Sequence, residues 1–138
     1  MYSFDFKKRV RYGETDQMGY LYYGNYAQYY EIGRVEMMRS LGMSYQEIEK
    51  DHRIMMPVMR LEVKYVRPAF YDELLTIRTT LREMPADTIV FHMELFNEAG
   101  KLLNGGQVKL CFVEIDTRKR VQIPEKLRVA LAPFFGIE

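Results

Sequence analysis

NYAQYYEIGRVEMMRSL, residues 25–41, is the stretch whose reading decides the fold. Its apolar and aromatic residues, Tyr26, Tyr29, Tyr30, Gly33, Met37 and Leu41, recur at the spacing of one face of a helix. Gly42 stands in the position that favours a helix stop. Working outward, Ser44 and Glu47 have the spacing of a capping box, which predicts a short second helix over Tyr45–Lys50. On the N-terminal side, Tyr2, Phe4, Phe6, Val10 and Tyr12 alternate with Lys and Arg, the period of a half-buried strand over 2–12. Gly13 to Gly19 breaks the two patterns apart.

The second half of the chain changes period. Met59–Val66, Leu75–Arg82, Ile89–Leu95 and Leu102–Ile115 each read as strands, joined by turns short enough for largely antiparallel pairing. Gly105-Gly106 marks a bulge or a close approach of backbone. Pro124 opens a C-terminal helix over Glu125–Leu131. A single aromatic-rich helix cannot bury itself, so the one available sheet must wrap it. The expectation is an α+β fold, a curved antiparallel sheet around one long helix. That is the hotdog architecture in outline, although the same periods fit other α+β sandwiches. No linker or repeat divides residues 1–138, which predicts a single domain.

Composition narrows the chemistry. The 138 residues carry 20 Lys plus Arg against 19 Asp plus Glu, a balance that argues against a nucleic-acid footprint. One cysteine, Cys111, excludes an internal disulfide framework and a multi-Cys zinc site. Only His52 and His92 are available, too few for a His-based metal site or a Ser-His-Asp machine. The start lacks an apolar signal-peptide core, and no apolar run has the ~18 residues of a membrane span. A soluble cytoplasmic protein with no membrane partner is therefore expected. The surplus of 11 Tyr, 8 Phe and 10 Met must fill a core, an interface or an apolar pocket.

Asp16 lies in the glycine-flanked loop that leads into the central helix. A helix N-terminus presents unpaired N–H groups and partial positive charge. A carbonyl docked there would have its developing oxyanion stabilised, while a nearby carboxylate attacked it or deprotonated a water. Equally, Asp16 could simply cap a turn, with Glu14 and Thr15 as ordinary loop polars; from spacing alone the capping role is the commoner one.

RVRYGETDQMGYLYYGNYAQYYEIGRVEMMRSLG, residues 9–42, resembles the signature of the 4-hydroxybenzoyl-CoA thioesterase-like hotdog proteins. Their pattern is a strand, then (D/E)-x-D-x-x-G-x-x-(Y/F)-x-x-x-Y, then a helix with F/Y-E-x-x-R. Glu14, Asp16, Gly19, Tyr22, Asn25, Tyr26, Tyr30, Glu31 and Arg34 fit. Val63–Leu74 resembles the family's second strand and its P-x-x-x-D-x-L turn. The resemblance implies hydrolysis of an acyl- or aroyl-CoA, with Asp16 as nucleophile through an acyl-enzyme anhydride or as general base. It implies that the backbone N–H of Tyr23 polarises the thioester carbonyl, and that Tyr12, Gly19, Asn25 and Tyr26 neighbour the substrate. Coenzyme A would be part of the substrate, with no cofactor or metal. One large subgroup carries His where this chain has Tyr23, so no imidazole mechanism is implied at that position. Relatives place each site between two subunits, which implies a homodimer or homotetramer. Alternatives are an acyl-carrier-protein thioesterase and a non-catalytic acyl-CoA-binding hotdog module. A His-centred hydratase fits less well.

Other residues read more plainly. Glu31 and Arg34 can pair along the helix, and Asn25 can cap it or orient the loop. His92 is expected on the strand face opposite Phe91 and Met93, and Cys111 as a small core hydrophobe. Arg60, Lys64, Arg67 and Arg82 could meet the CoA phosphates or simply cover solvated strands. The clusters at Met37-Met38 and Met55–Met59 suit a core or interface, and pliable Met side chains would also suit a variable acyl tail.

Overall fold

A computed structural model describes residues 1–137. The elements in chain order are β1 (Tyr2–Arg9), α1 (Tyr26–Ser40), α2 (Tyr45–Lys50), β2 (Ile54–Met55), β3 (Val58–Tyr65), β4 (Leu74–Leu81), β5 (Thr88–Phe96), β6 (Leu102–Glu114), β7 (Arg120–Val121) and α3 (Glu125–Leu131). Every recorded pairing is antiparallel: β1–β4–β5–β6 run side by side, and β6 is long enough to carry β3 and β2 along its other edge. The curved sheet wraps α1, the mixed α+β hotdog arrangement expected from the sequence.

Helix α1 buries the face that its spacing predicts. Tyr26, Tyr29, Tyr30, Gly33, Met37 and Met38 are inside, each aromatic or Met side chain contributing about 1.5–3 kcal/mol through removal from water. Gly33 is where helix and sheet come closest. A Cβ there would lie 2.6 Å from Ile77 Cγ2 and Thr79 Oγ1 and 2.8 Å from Met93 Cε. Gly42 adopts φ +85°, the left-handed stop expected after the helix.

Several details depart from the sequence reading. The first strand ends at Arg9, not Tyr12. Val10 leaves the ladder to exchange backbone bonds with Glu73 and Asp72, and Tyr12–Glu14 then winds into a single 3₁₀ turn. The Ser44 hydroxyl accepts the Glu47 N–H at 3.1 Å, half of the anticipated capping box, while the Glu47 carboxylate instead receives Lys126 at 2.8 Å. Glu31 and Arg34 form no ion pair among the described residues. Arg34 turns inward, 7% exposed, beside Tyr45, whose hydroxyl burial pushes up to about 12 against the opposing pull of the guanidinium. Of the two possibilities at Gly105-Gly106, the close approach is realised, at Gly106: a Cβ there would stand 2.0 Å from the Glu62 carbonyl oxygen. His92 lies on the outward face, half-buried between Thr80 and Gln107. Cys111 is buried as expected. No helix among the described residues is long and apolar enough to cross a membrane.

Candidate active site

The loop between β1 and α1 closes on itself before it reaches the helix. Thr15 and Leu21 form an isolated bridge, Asp16 N–H donates to the Tyr20 carbonyl at 2.9 Å, and Gly19, at φ +80°, returns its N–H to the Asp16 carbonyl at 3.0 Å. Leu21 N–H donates to the Ala69 carbonyl at 2.7 Å, which pins this small hairpin to the segment between β3 and β4. Asp16 is held at its base. Oδ1 accepts the N–H groups of Met18 at 2.9 Å and Tyr20 at 3.2 Å, whereas Oδ2 has no hydrogen-bond donor among the described residues. The turn-capping role suggested by spacing is therefore real, and it occupies only one of the two carboxylate oxygens.

Tyr23–Asn25 forms a 3₁₀ turn that runs directly into α1, so the first turn of the composite helix begins at Tyr23. The Tyr23 N–H has no acceptor among the described residues, as befits the opening position of a helix. Asn25 has helical φ and ψ and makes no side-chain cap; its amide donates to the Glu14 carbonyl at 2.8 Å. Of its two expected roles, loop orientation is the one observed.

Two clefts meet at Asp16. One, about 270 Å³, is lined by Asp16, Tyr23, Tyr26, Tyr65, Arg67 and neighbouring apolar residues. The other, about 620 Å³, is lined by Asp16, Tyr12, Gly19, Gln17, Tyr71 and adjoining loop residues. Asp16, Tyr23 and Tyr26 are thus brought together, with Tyr12 and Gly19 on the far side of the carboxylate and Asn25 lining neither cleft. Tyr26 and Tyr65 meet edge to face, with ring centroids 5.2 Å apart, and the Tyr65 hydroxyl donates to the Tyr23 carbonyl at 3.2 Å. Tyr12 and Tyr71 make a second such pair at 5.6 Å. Burial raises the Tyr26 hydroxyl above the ordinary tyrosine value, so it stays protonated through the neutral range. Of the four basic candidates, Arg67 alone borders Asp16's clefts. Arg60 is paired with Glu62, and Lys64 and Arg82 line a groove on the outer face of the sheet.

Sequence reasoning gave no site role to Tyr65 or Tyr71, and took Glu14 as a loop polar and a match to the signature without a role. The two tyrosines come from distant segments, and no local spacing marks them. Glu14 carried a signal: Phe4, Phe6 and Lys8 share the inward face of β1, and an inward-facing lysine needs an acidic partner. Glu14 Oε1 provides it at 3.0 Å. Burial pushes the Glu14 carboxyl up, but bonds from the Arg11 N–H, the Tyr29 hydroxyl and Lys8 outweigh it and leave the group below the usual carboxylate range.

Comparison with known proteins places this geometry in context. The sequence model of a family described as the thioesterase-like superfamily matches residues 10–131. The acyl-CoA thioester hydrolase YbgC of Escherichia coli O157:H7 is 31% identical over 119 residues, covering 86% of this chain and 88% of that one. The acyl-CoA thioesterase YbgC of Haemophilus influenzae is 29% identical over 128 residues, 93% of each chain. Among solved structures, a DHNA-CoA thioesterase from Staphylococcus aureus superposes with a TM-score of 0.90 at 31% identity, covering 99% of this chain and 93% of that one.

Proposed function

The chain belongs to the thioesterase-like superfamily, and on that premise we propose that it hydrolyses acyl-CoA thioesters with Asp16 and the Tyr23 N–H as the reacting pair. The observation that carries this reading is their shared cleft: Asp16, whose carboxylate has one oxygen unbonded, and Tyr23, whose N–H opens the helix without an acceptor among the described residues, both line it. The thioester carbonyl oxygen would accept from Tyr23 N–H, whose alignment with the helix dipole favours the developing negative charge. Asp16 Oδ2 then either attacks the carbonyl carbon, expelling the thiolate and leaving an anhydride for water to open, or takes a proton from the attacking water. Both routes convert thioester and water into acid and thiol. Coenzyme A enters with the substrate, and neither route calls on a metal or a resident cofactor.

The clefts favour a compact acyl group. The space beneath α1 is filled by Tyr26, Tyr29, Tyr30 and Met37, none more than 3% exposed, so a long chain would have to displace these side chains to pass there. What flanks Asp16 instead is tyrosine rings, suited to an aromatic ring. The test is thiol release from a panel of short, long and aromatic acyl-CoAs. Aroyl-CoA should exceed palmitoyl-CoA by at least ~10-fold in kcat/KM, about the value of one good aromatic contact. No release from any member would sink the function, and a preference for palmitoyl would sink the substrate assignment.

The working enzyme is proposed to be at least a homodimer. Among the described residues strand β3 pairs only with β6, and Val58, Met59, Leu61 and Tyr65 along it are 43–52% exposed, an open edge with an uncovered apolar face. The same strand leads into Tyr65 and Arg67 at the Asp16 cleft, so a second copy on this edge would border the site. Light scattering should give a mass of two or four chains, and Leu61→Asp should lower it to one. A monomeric wild type with full activity would refute this.

A further inference from the structure

One residue outside the reacting pair is bonded to the strand before it, to its own turn, to the loop after it and to the central helix. Glu14 Oε1 accepts three hydrogen bonds: from Lys8 Nζ on β1 at 3.0 Å, from Arg11 N–H in its own turn at 2.8 Å, and from the Tyr29 hydroxyl on α1 at 2.8 Å. Its backbone carbonyl accepts two more, from Tyr22 N–H at 2.9 Å and Asn25 Nδ2 at 2.8 Å. Lys8 also lies over the Tyr29 ring, 5.0 Å from its centroid. Five donors from the strand, the turn, the loop and the helix thus converge on one residue. Asp16 lies two residues after it. Tyr22, bonded to its carbonyl, immediately precedes Tyr23.

We propose that Glu14 is the positioning residue of this site, fixing the Asp16 carboxylate relative to the Tyr23 N–H by tying the loop to the first turns of α1. The inference rests on the reading of Asp16 and Tyr23 as the reacting pair. Glu14 touches neither cleft, so it acts through backbone. Its side chain locks the 3₁₀ turn to β1 and α1, and its carbonyl, carried by that turn, sets the height of the Tyr22–Asn25 segment. An ordinary stabilising ion pair would join two elements. This carboxylate joins three at a single oxygen, and the chain on either side of it carries the two reacting groups.

The test compares wild type, Glu14→Ala, Glu14→Gln and Tyr29→Phe, with Asp16→Asn alongside, each confirmed folded by circular dichroism. Loss of position should appear in kcat. Glu14→Ala is expected to lower kcat at least ~10-fold, the order of effect for a sub-ångström to ångström misplacement. KM should stay within ~3-fold, since no substrate contact is removed. Amide hydrogen exchange across residues 15–24 should quicken in the same variant. Glu14→Gln keeps an acceptor oxygen and should recover most of kcat. Should Glu14→Ala fail to fold, Tyr29→Phe removes one of the three bonds and is expected to show the same pattern in weaker form. Wild-type kcat in folded Glu14→Ala, or in Tyr29→Phe where that is the variant measured, overturns the proposal. So does a fall in kcat with exchange across 15–24 unchanged. An inactive wild type would instead overturn the thioesterase reading, and a fully active Asp16→Asn the assignment of the reacting pair; the exchange measurement depends on neither.

Discussion

Asp16→Asn is expected to lower kcat/KM for every acyl-CoA by at least ~10²-fold while leaving the protein folded. The geometry makes this substitution unusually selective. The asparagine carbonyl oxygen can still accept the N–H groups of Met18 and Tyr20 that Oδ1 accepts in the wild type, so the turn keeps its cap. The oxygen with no donor becomes an NH₂, which can neither attack a carbonyl nor take a proton from water. Loss of activity with a melting temperature within a few degrees of wild type, less than ~1 kcal/mol of stability, would therefore report on chemistry and not on folding. KM should stay nearly constant, because the substituted atom serves the transition state more than the bound ground state. Activity within ~3-fold of wild type would remove Asp16 from the mechanism.

The largest expected effect on stability is at Gly106. An alanine Cβ there would stand 2.0 Å from the Glu62 carbonyl oxygen, 3.0 Å from the Glu62 carbonyl carbon and 3.0 Å from the Tyr30 hydroxyl. The first two are backbone atoms of β3, which cannot rotate aside, so the β3–β6 ladder would have to open at this point. The Tyr30–Asn104 hydrogen bond lies in the same place and would be disturbed with it. Gly106→Ala is expected to cost ~3 kcal/mol or more, the upper end for overpacking because no side chain can yield. Gly105→Ala is the matched control: its Cβ would meet only the Met93 carbonyl oxygen, at 3.6 Å. It should be within ~1 kcal/mol of wild type, because a glycine inside a strand costs entropy that alanine does not. Chemical denaturation of the two variants decides the matter, and equal midpoints would refute the steric account.

Much of this architecture could be read from the chain because its causes are local. The buried face of α1 follows from residue spacing, and β4, β5 and β6 follow from alternation. What escaped the sequence depends on partners far along the chain. Strands β2 and β7 are two residues each, too short to show a period, and exist because β6 is long enough to pair with them. Tyr12 looked like the last residue of a strand because its alternation continues through Val10. The strand stops early because Asp72 and Glu73 capture Val10. Arg34 looked like a partner for Glu31 along the helix, but the second helix puts Tyr45 beside it. At the site, Asp16, Tyr23 and Tyr26 share one segment and were found together. Tyr65 ends β3 and Tyr71 follows it, and no local spacing ties either to Asp16; Arg67 was one of four basic candidates that only the folded chain could sort.

The junction of two clefts at Asp16 also bears on how a turnover ends. On the proposed reading, a thioester lying across that junction would have its acyl side in one cleft and its thiol side in the other, so hydrolysis would separate the products into different exits. The new acid ionises at neutral pH beside the Asp16 carboxylate. Two like charges a few ångströms apart in a half-shielded cleft repel by a few kcal/mol. If Asp16 is the reacting carboxylate, the acid is thus the product that the site would expel, because it alone would place its new charge beside that group.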